Sequence, residues 1–136
     1  MDSKAVQDSD SSIIDWDIFA RARAEMGPGF IRILGYFRED GETAIERIEQ
    51  AMRRRDAAAL VRPAQTLETG AHELGAAPLS ELAETIETTA RRAIEMRVFP
   101  DELIPAVSRL RPLYRETVDL VEREVNPLAE RRRVRG

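Results

Sequence analysis

The chain contains no cysteine and a single histidine, His72. Without cysteine there can be no disulfide, no thiolate metal ligand and no thiol nucleophile. One imidazole excludes a histidine-rich metal centre and leaves few routes to general-base chemistry. Aromatic residues make up only 5% of the chain, which argues against an all-β barrel or sandwich. Lysine occurs once, at Lys4, so arginine carries the positive charge. No apolar run is long enough to cross a bilayer, and the N-terminus lacks the basic-then-apolar pattern of a signal peptide. The expected location is therefore the cytoplasm, with no membrane partner. The net charge of -4 makes nucleic acid an unexpected partner. What is present is 136 residues, 43% hydrophobic and 34% charged. That is the balance of a soluble, mostly helical protein of single-domain length.

Residues 1–12 are polar and acidic without periodicity, and are expected to be a disordered N-terminal segment. Asp15 is placed to cap a short helix, with Trp16, Phe19, Ala20 and Arg23 along one side and Gly27-Pro28-Gly29 ending it. A second helix is expected from about Pro28 to Arg54. Phe30, Ile33, Leu34, Phe37, Ala44, Ile45, Ile48, Ala51 and Met52 form its apolar stripe, and Gly41 is a weak point within it. Asp56 suits the N-cap of a third helix, Ala57 to Leu74, whose inward side is Leu60, Ala64, Leu67, Ala71 and Leu74. Gly75 suits its C-terminal cap, and Pro63 predicts a kink or a late start. Pro78 opens a fourth helix with Leu79, Leu82, Ile86, Ala90 and Ala93 inward. A fifth begins between Asp101 and Pro105. It turns Leu103, Val107, Leu110, Leu113 or Tyr114, Thr117, Leu120 and Val121 to the core, bends at Pro112 and ends at Asn126-Pro127.

The links are short, so neighbouring helices should run antiparallel. The expected fold is all-α: an up-down four-helix bundle with the short N-terminal helix capping one end. The bundle is assigned to residues 13–127 and a basic flexible tail to residues 128–136, which carries Arg131, Arg132, Arg133 and Arg135.

The informative segment is Pro63-Ala64-Gln65-Thr66-Leu67-Glu68-Thr69-Gly70-Ala71-His72-Glu73-Leu74-Gly75-Ala76. It resembles the signature helix of the histidine-containing phosphotransfer (HPt) domain, H-x-L-K-G-x-x-x-x-x-G. Leu67 matches the motif leucine and Gly75 its final glycine, without a gap. The Ile14-Asp15 start, the Phe30 to Phe37 helix, the turn before Asp56 and the Leu79 to Glu87 stretch also fall where that family has them. The resemblance therefore covers about residues 13 to 125. It implies a phosphorelay protein that uses no cofactor or metal and whose partner is a response-regulator receiver domain or a sensor histidine kinase. In the family a neutral imidazole accepts a phosphoryl group from a receiver aspartate. A lysine three residues on offsets its charge, and a glycine after that leaves room for the receiver.

Those three positions are here Gln65, Glu68 and Thr69. An amide nitrogen is not nucleophilic, a carboxylate repels a phosphoryl group, and a β-branched side chain fills the space where none is wanted. The phosphosite is degenerate and no catalytic residue is assigned. The first reading is a non-phosphorylatable pseudo-HPt protein. It would bind its partner through the first helix, the start of the second, and the Arg62, Gln65, Thr69 and His72 side of the third. The second reading is a working phosphocarrier that uses His72, almost two turns beyond Gln65 and about 10 Å along the axis. Its place in the last helical turn, beside Glu73 and one turn from Glu68, does not favour a neutral nucleophile. The third is a structural or dimerisation bundle with no signalling partner. Trp16 is expected half-buried at the bundle cap, Arg53-Arg54-Arg55 at a solvated helix end, and Glu81, Glu84 and Glu87 on a solvent face.

Overall fold

The computed structural model describes residues 12–126. The N-terminal segment up to residue 11 and the basic tail from residue 127 lie outside the described residues. Among the described residues, the helices of the bundle follow in order as α1 (Trp16–Met26), α2 (Phe30–Arg54), α3 (Ala58–Glu73), α4 (Ala77–Met96) and α5 (Ile104–Val125). Short 3-10 turns at Gly27–Gly29 and Asp101–Leu103 lead into α2 and α5. Among the described residues there is no strand. Each of the four long helices packs on the next in sequence, and α5 returns to α2 and closes the up-down bundle. The short α1 lies across one end, against α2 and α3.

The apolar stripes become the core. Leu60, Ala64, Leu67, Ala71 and Leu74 of α3 are buried, as are Leu79, Leu82, Ile86, Ala90 and Ala93 of α4. Burial on this scale, at about 25 cal/mol per Å² of apolar surface, is the main stabilising term. On α5 the ambiguity between Leu113 and Tyr114 resolves to Tyr114, which is buried while Leu113 is only partly covered. Helix α1 departs from expectation. Phe19 and Ala22 face inward, with Trp16 and Met26 partly covered, whereas Ala20 and Arg23 are exposed. Both faces satisfy a helical repeat. The one that wins is the one Phe30 covers, through edge-on ring contacts of Phe19 with Phe30 and Trp16, each 5.2 Å between centroids.

Helix α3 begins at Ala58, ahead of Pro63, and runs on through it, and α5 runs on through Pro112. The late start expected at Pro63 does not occur: packing on both sides outweighs the lost backbone bond. Asp56 accepts from the Ala59 N–H at 3.2 Å, the capping role its position suggests.

Three helices end in the same left-handed cap, at Arg55, Gly75 and Arg97. After α3 the Ala76 N–H donates to the Ala71 carbonyl at 2.9 Å and the Gly75 N–H to that of His72 at 3.1 Å. Arg55 belongs to more than a solvated helix end. Its guanidinium donates to both Asp101 oxygens, at 2.8 and 3.3 Å, and lies 4.5 Å from the Phe99 ring centre. It thereby ties the α2–α3 turn to the α4–α5 turn.

At the other end, Gly75 joins α1 to the bundle. Its carbonyl accepts from the Asp15 N–H at 2.8 Å, while the Asp15 carboxylate caps α1 by accepting from the Asp17 and Ile18 N–H groups. Gly75 has φ of +79°, and a Cβ there would stand 2.7 Å from the Asp15 carbonyl oxygen. Glycine is required both by the backbone angle and by the close approach of α1.

Candidate functional site

The inward stripe of α3 determines what its other side presents. With Leu60, Ala64, Leu67 and Ala71 turned to the core, residues at intervals of three and four from Gln65 project outward together. Arg62, Gln65, Thr69 and His72 are all exposed, and Glu68 is partly covered. The structure thus brings the five candidate residues onto one outward-facing arc midway along and toward the C-terminal end of α3. Beside this arc stand large exposed apolar side chains of the neighbouring elements, Ile18 on α1 and Tyr36 on α2, whereas the exposed Ile31 of α2 faces the α5 side. Ile18 is held near the His72 end of the arc by its closeness to Gly75.

The two flanks of the arc differ. On the α4 side, Glu68 approaches Glu87 and Glu84. Burial is the first reason that the Glu68 carboxyl titrates above its usual range. The hydrogen bond it shares with Glu87 is the second, and the Glu87 and Glu84 charges add to it, while His72 acts in the opposite direction. Glu87 also accepts from Arg91 at 2.9 Å. The expectation that Glu81, Glu84 and Glu87 form one solvent face is therefore corrected. Glu81 and Glu84 are exposed, but Glu87 is partly covered and turned toward α3. Beneath them the buried Ser80 hydroxyl donates to the Glu68 carbonyl at 3.4 Å.

On the α2 side, a groove runs between α2 and α3 past Tyr36, Asp40, Thr66, Thr69 and Glu73. The apolar repeats of the two helices give no sign of it. Its one sequence signal is a glycine on each wall, Gly41 on α2 and Gly70 on α3.

Chemically, the arc lacks a nucleophile at its centre. The Gln65 amide lone pair is delocalised, and one turn away stands the Glu68 carboxyl. The one imidazole, His72, stands in the last turn of α3. No group of three or more histidine, aspartate or glutamate side chains able to hold a metal occurs among the described residues. No helix there is long and apolar enough to cross a membrane.

A family model described as "Hpt domain" matches residues 32–124, from the first turn of α2 to the last turn of α5. No curated protein and no solved structure matches the chain.

Proposed function

The chain belongs to the Hpt domain family, whose members carry phosphoryl groups and signal in phosphorelays through receiver domains and kinases, and from that premise we propose that it is a pseudo-phosphotransfer protein. It docks a receiver domain, or the kinase that feeds one, on the α1–α2–α3 face and accepts no phosphoryl group. The observation that carries this reading is the exposed Gln65 at the centre of the arc, with Glu68 beside it leaning on Glu87. A phosphoryl group at residue 65 would find no nucleophilic nitrogen to bond to, and a carboxyl in place of a cation at the position three residues on. The docking reading is supported by the exposed Ile18 and Tyr36, which border a polar arc in the manner of a transient protein interface. Such a protein competes with an active phosphotransfer partner or holds a regulator in one state.

The test mixes the purified chain with a panel of radiolabelled phospho-receivers and, separately, measures binding to the same receivers. The expected result is saturable binding to at least one receiver with no label on the chain. Label that disappears in His72→Ala would replace this reading with that of a working carrier. Absence of binding to every receiver and kinase tried would favour a bundle kept for structural ends.

A further inference from the structure

The groove between α2 and α3 has the character of a site for a single side chain. Its volume is about 260 Å³. That is below the roughly 300–1,000 Å³ of pockets that take drug-sized ligands. The floor is apolar, made by Phe37, Leu67 and Leu74, and the outer edge carries the Tyr36 ring and the carboxylates of Asp40 and Glu73. The α3 wall carries Gly70, which has no side chain to fill the opening. Phe37 lies against Gly70, 3.1 Å from where a Cβ would stand, so a larger residue there would press on the floor. No arginine or histidine lines the groove. Neither Asp40 nor Glu73 has an ion pair or a side-chain hydrogen bond among the described residues.

An apolar floor, an aromatic ring and two uncompensated carboxylates together match one chemistry: a long aliphatic stem with a planar cation at its tip. The stem covers the floor. The guanidinium stacks on or near the Tyr36 ring and donates to Asp40 and Glu73. Lysine offers the charge without the plane, and an acidic or neutral side chain leaves the carboxylates unmatched. We infer that this groove receives an arginine side chain from the protein that docks on the α1–α2–α3 face. The identity of that protein rests on the function proposed above, whereas the cation site does not.

The experiment therefore uses a probe that needs no partner. The full chain, labelled with ¹⁵N, is titrated with N-acetyl-arginine methylamide and, in parallel, with the citrulline analogue, which has nearly the same shape and no charge. The arginine compound is expected to shift the amides of Tyr36, Thr66, Thr69 and Gly70 saturably, with roughly millimolar affinity as befits one side chain. The citrulline compound should do so at least about fivefold more weakly. The double variant Asp40→Asn, Glu73→Gln and the single variant Tyr36→Ala, all at exposed positions, should each weaken the arginine response several-fold. Equal responses to the two compounds, no saturable response to arginine, or an unchanged response in the double variant would each overturn the inference. If the chain binds a receiver but the groove ignores arginine, the docking reading survives without this site. If the groove takes arginine but no receiver or kinase binds, the site stands and the docking reading falls.

Discussion

Tyr114 lies where Gly41 has no side chain. The ring packs against α2 at that glycine, and its hydroxyl reaches the Arg38 carbonyl at 2.8 Å and the Phe37 carbonyl at 3.1 Å. A Cβ at residue 41 would overlap the ring and stand 2.7 Å from the hydroxyl oxygen. The mid-helix glycine is thus the seat of the α5 tyrosine.

Gly41→Ala is expected to destabilise the fold despite alanine's helix propensity advantage of about 1 kcal/mol. Overpacking of this kind typically costs about 1–3 kcal/mol, so the net loss should be of order 1 kcal/mol or more. Thermal unfolding followed by circular dichroism reads it. A melting temperature raised by the substitution would show that the ring moves aside without cost.

Tyr114 also sets an alkaline limit. Burial first, and then the Glu42 charge, push its hydroxyl up to about 12. The folded state therefore keeps a proton that the unfolded state loses near the ordinary value of about 10. The stabilisation is fully present below pH 10 and declines as pH rises from about 10 to 12. Urea unfolding across that range should show a slope that Tyr114→Phe removes, along with about 1 kcal/mol from the lost hydrogen bond.

Glu68→Gln should raise stability at neutral pH. The Glu68 carboxyl is raised above its ordinary 4.5 by burial and by its bond to Glu87. A carboxyl raised in the folded state favours folding when protonated, and that contribution falls as pH climbs through and above 4.5. The amide keeps a hydrogen bond to Glu87 and removes the repulsion. A melting temperature higher by roughly 1–3 °C at pH 7, with the difference from wild type shrinking toward pH 4.5, is the expected outcome. Equal melting temperatures at both pH values would show that the carboxyls stay apart.

Gly75→Ala should release α1. The substitution meets the left-handed backbone penalty of about 1–2 kcal/mol and the Asp15 carbonyl as well. Trp16 is the only tryptophan, so its emission reports the event directly. A red shift before the main unfolding transition is expected, and an unchanged spectrum would place the anchor of α1 elsewhere.

Restoring phosphotransfer should require more than the nucleophile. Gln65→His alone leaves Glu68 one turn away. At an effective dielectric near 20, two like charges about 5 Å apart repel by roughly 3 kcal/mol, less where water screens them. Glu68→Lys reverses that sign and gives Glu87 and Glu84 a cation to pair with, and Thr69→Gly clears the approach. Receiver-dependent label is expected on the triple variant and only weakly on the single one. Equal labelling of the two would show that Glu68 does not govern the step.

The sequence by itself determined whatever depends on one helix at a time. The repeat Leu60, Ala64, Leu67, Ala71 and Leu74 has a single inward solution, so the exposure of Gln65, Thr69 and His72 followed from it. The caps at Asp15, Asp56 and Gly75 are equally local, because a side chain or a left-handed backbone acts within a few residues of itself. The tertiary structure alone decided what lies between helices. The choice of Tyr114 over Leu113, the use of Gly41, the inward turn of Glu87 and the Arg55–Asp101 bridge depend on how far each helix is rotated and slid against its neighbour. A periodic stripe leaves that rotation and axial register open, and the interlocking of whole helical surfaces settles it. The face of α1 shows the same division. Its repeat allowed either Ala20 or Ala22 to turn inward, and the position of Phe30 on the next helix selected Ala22.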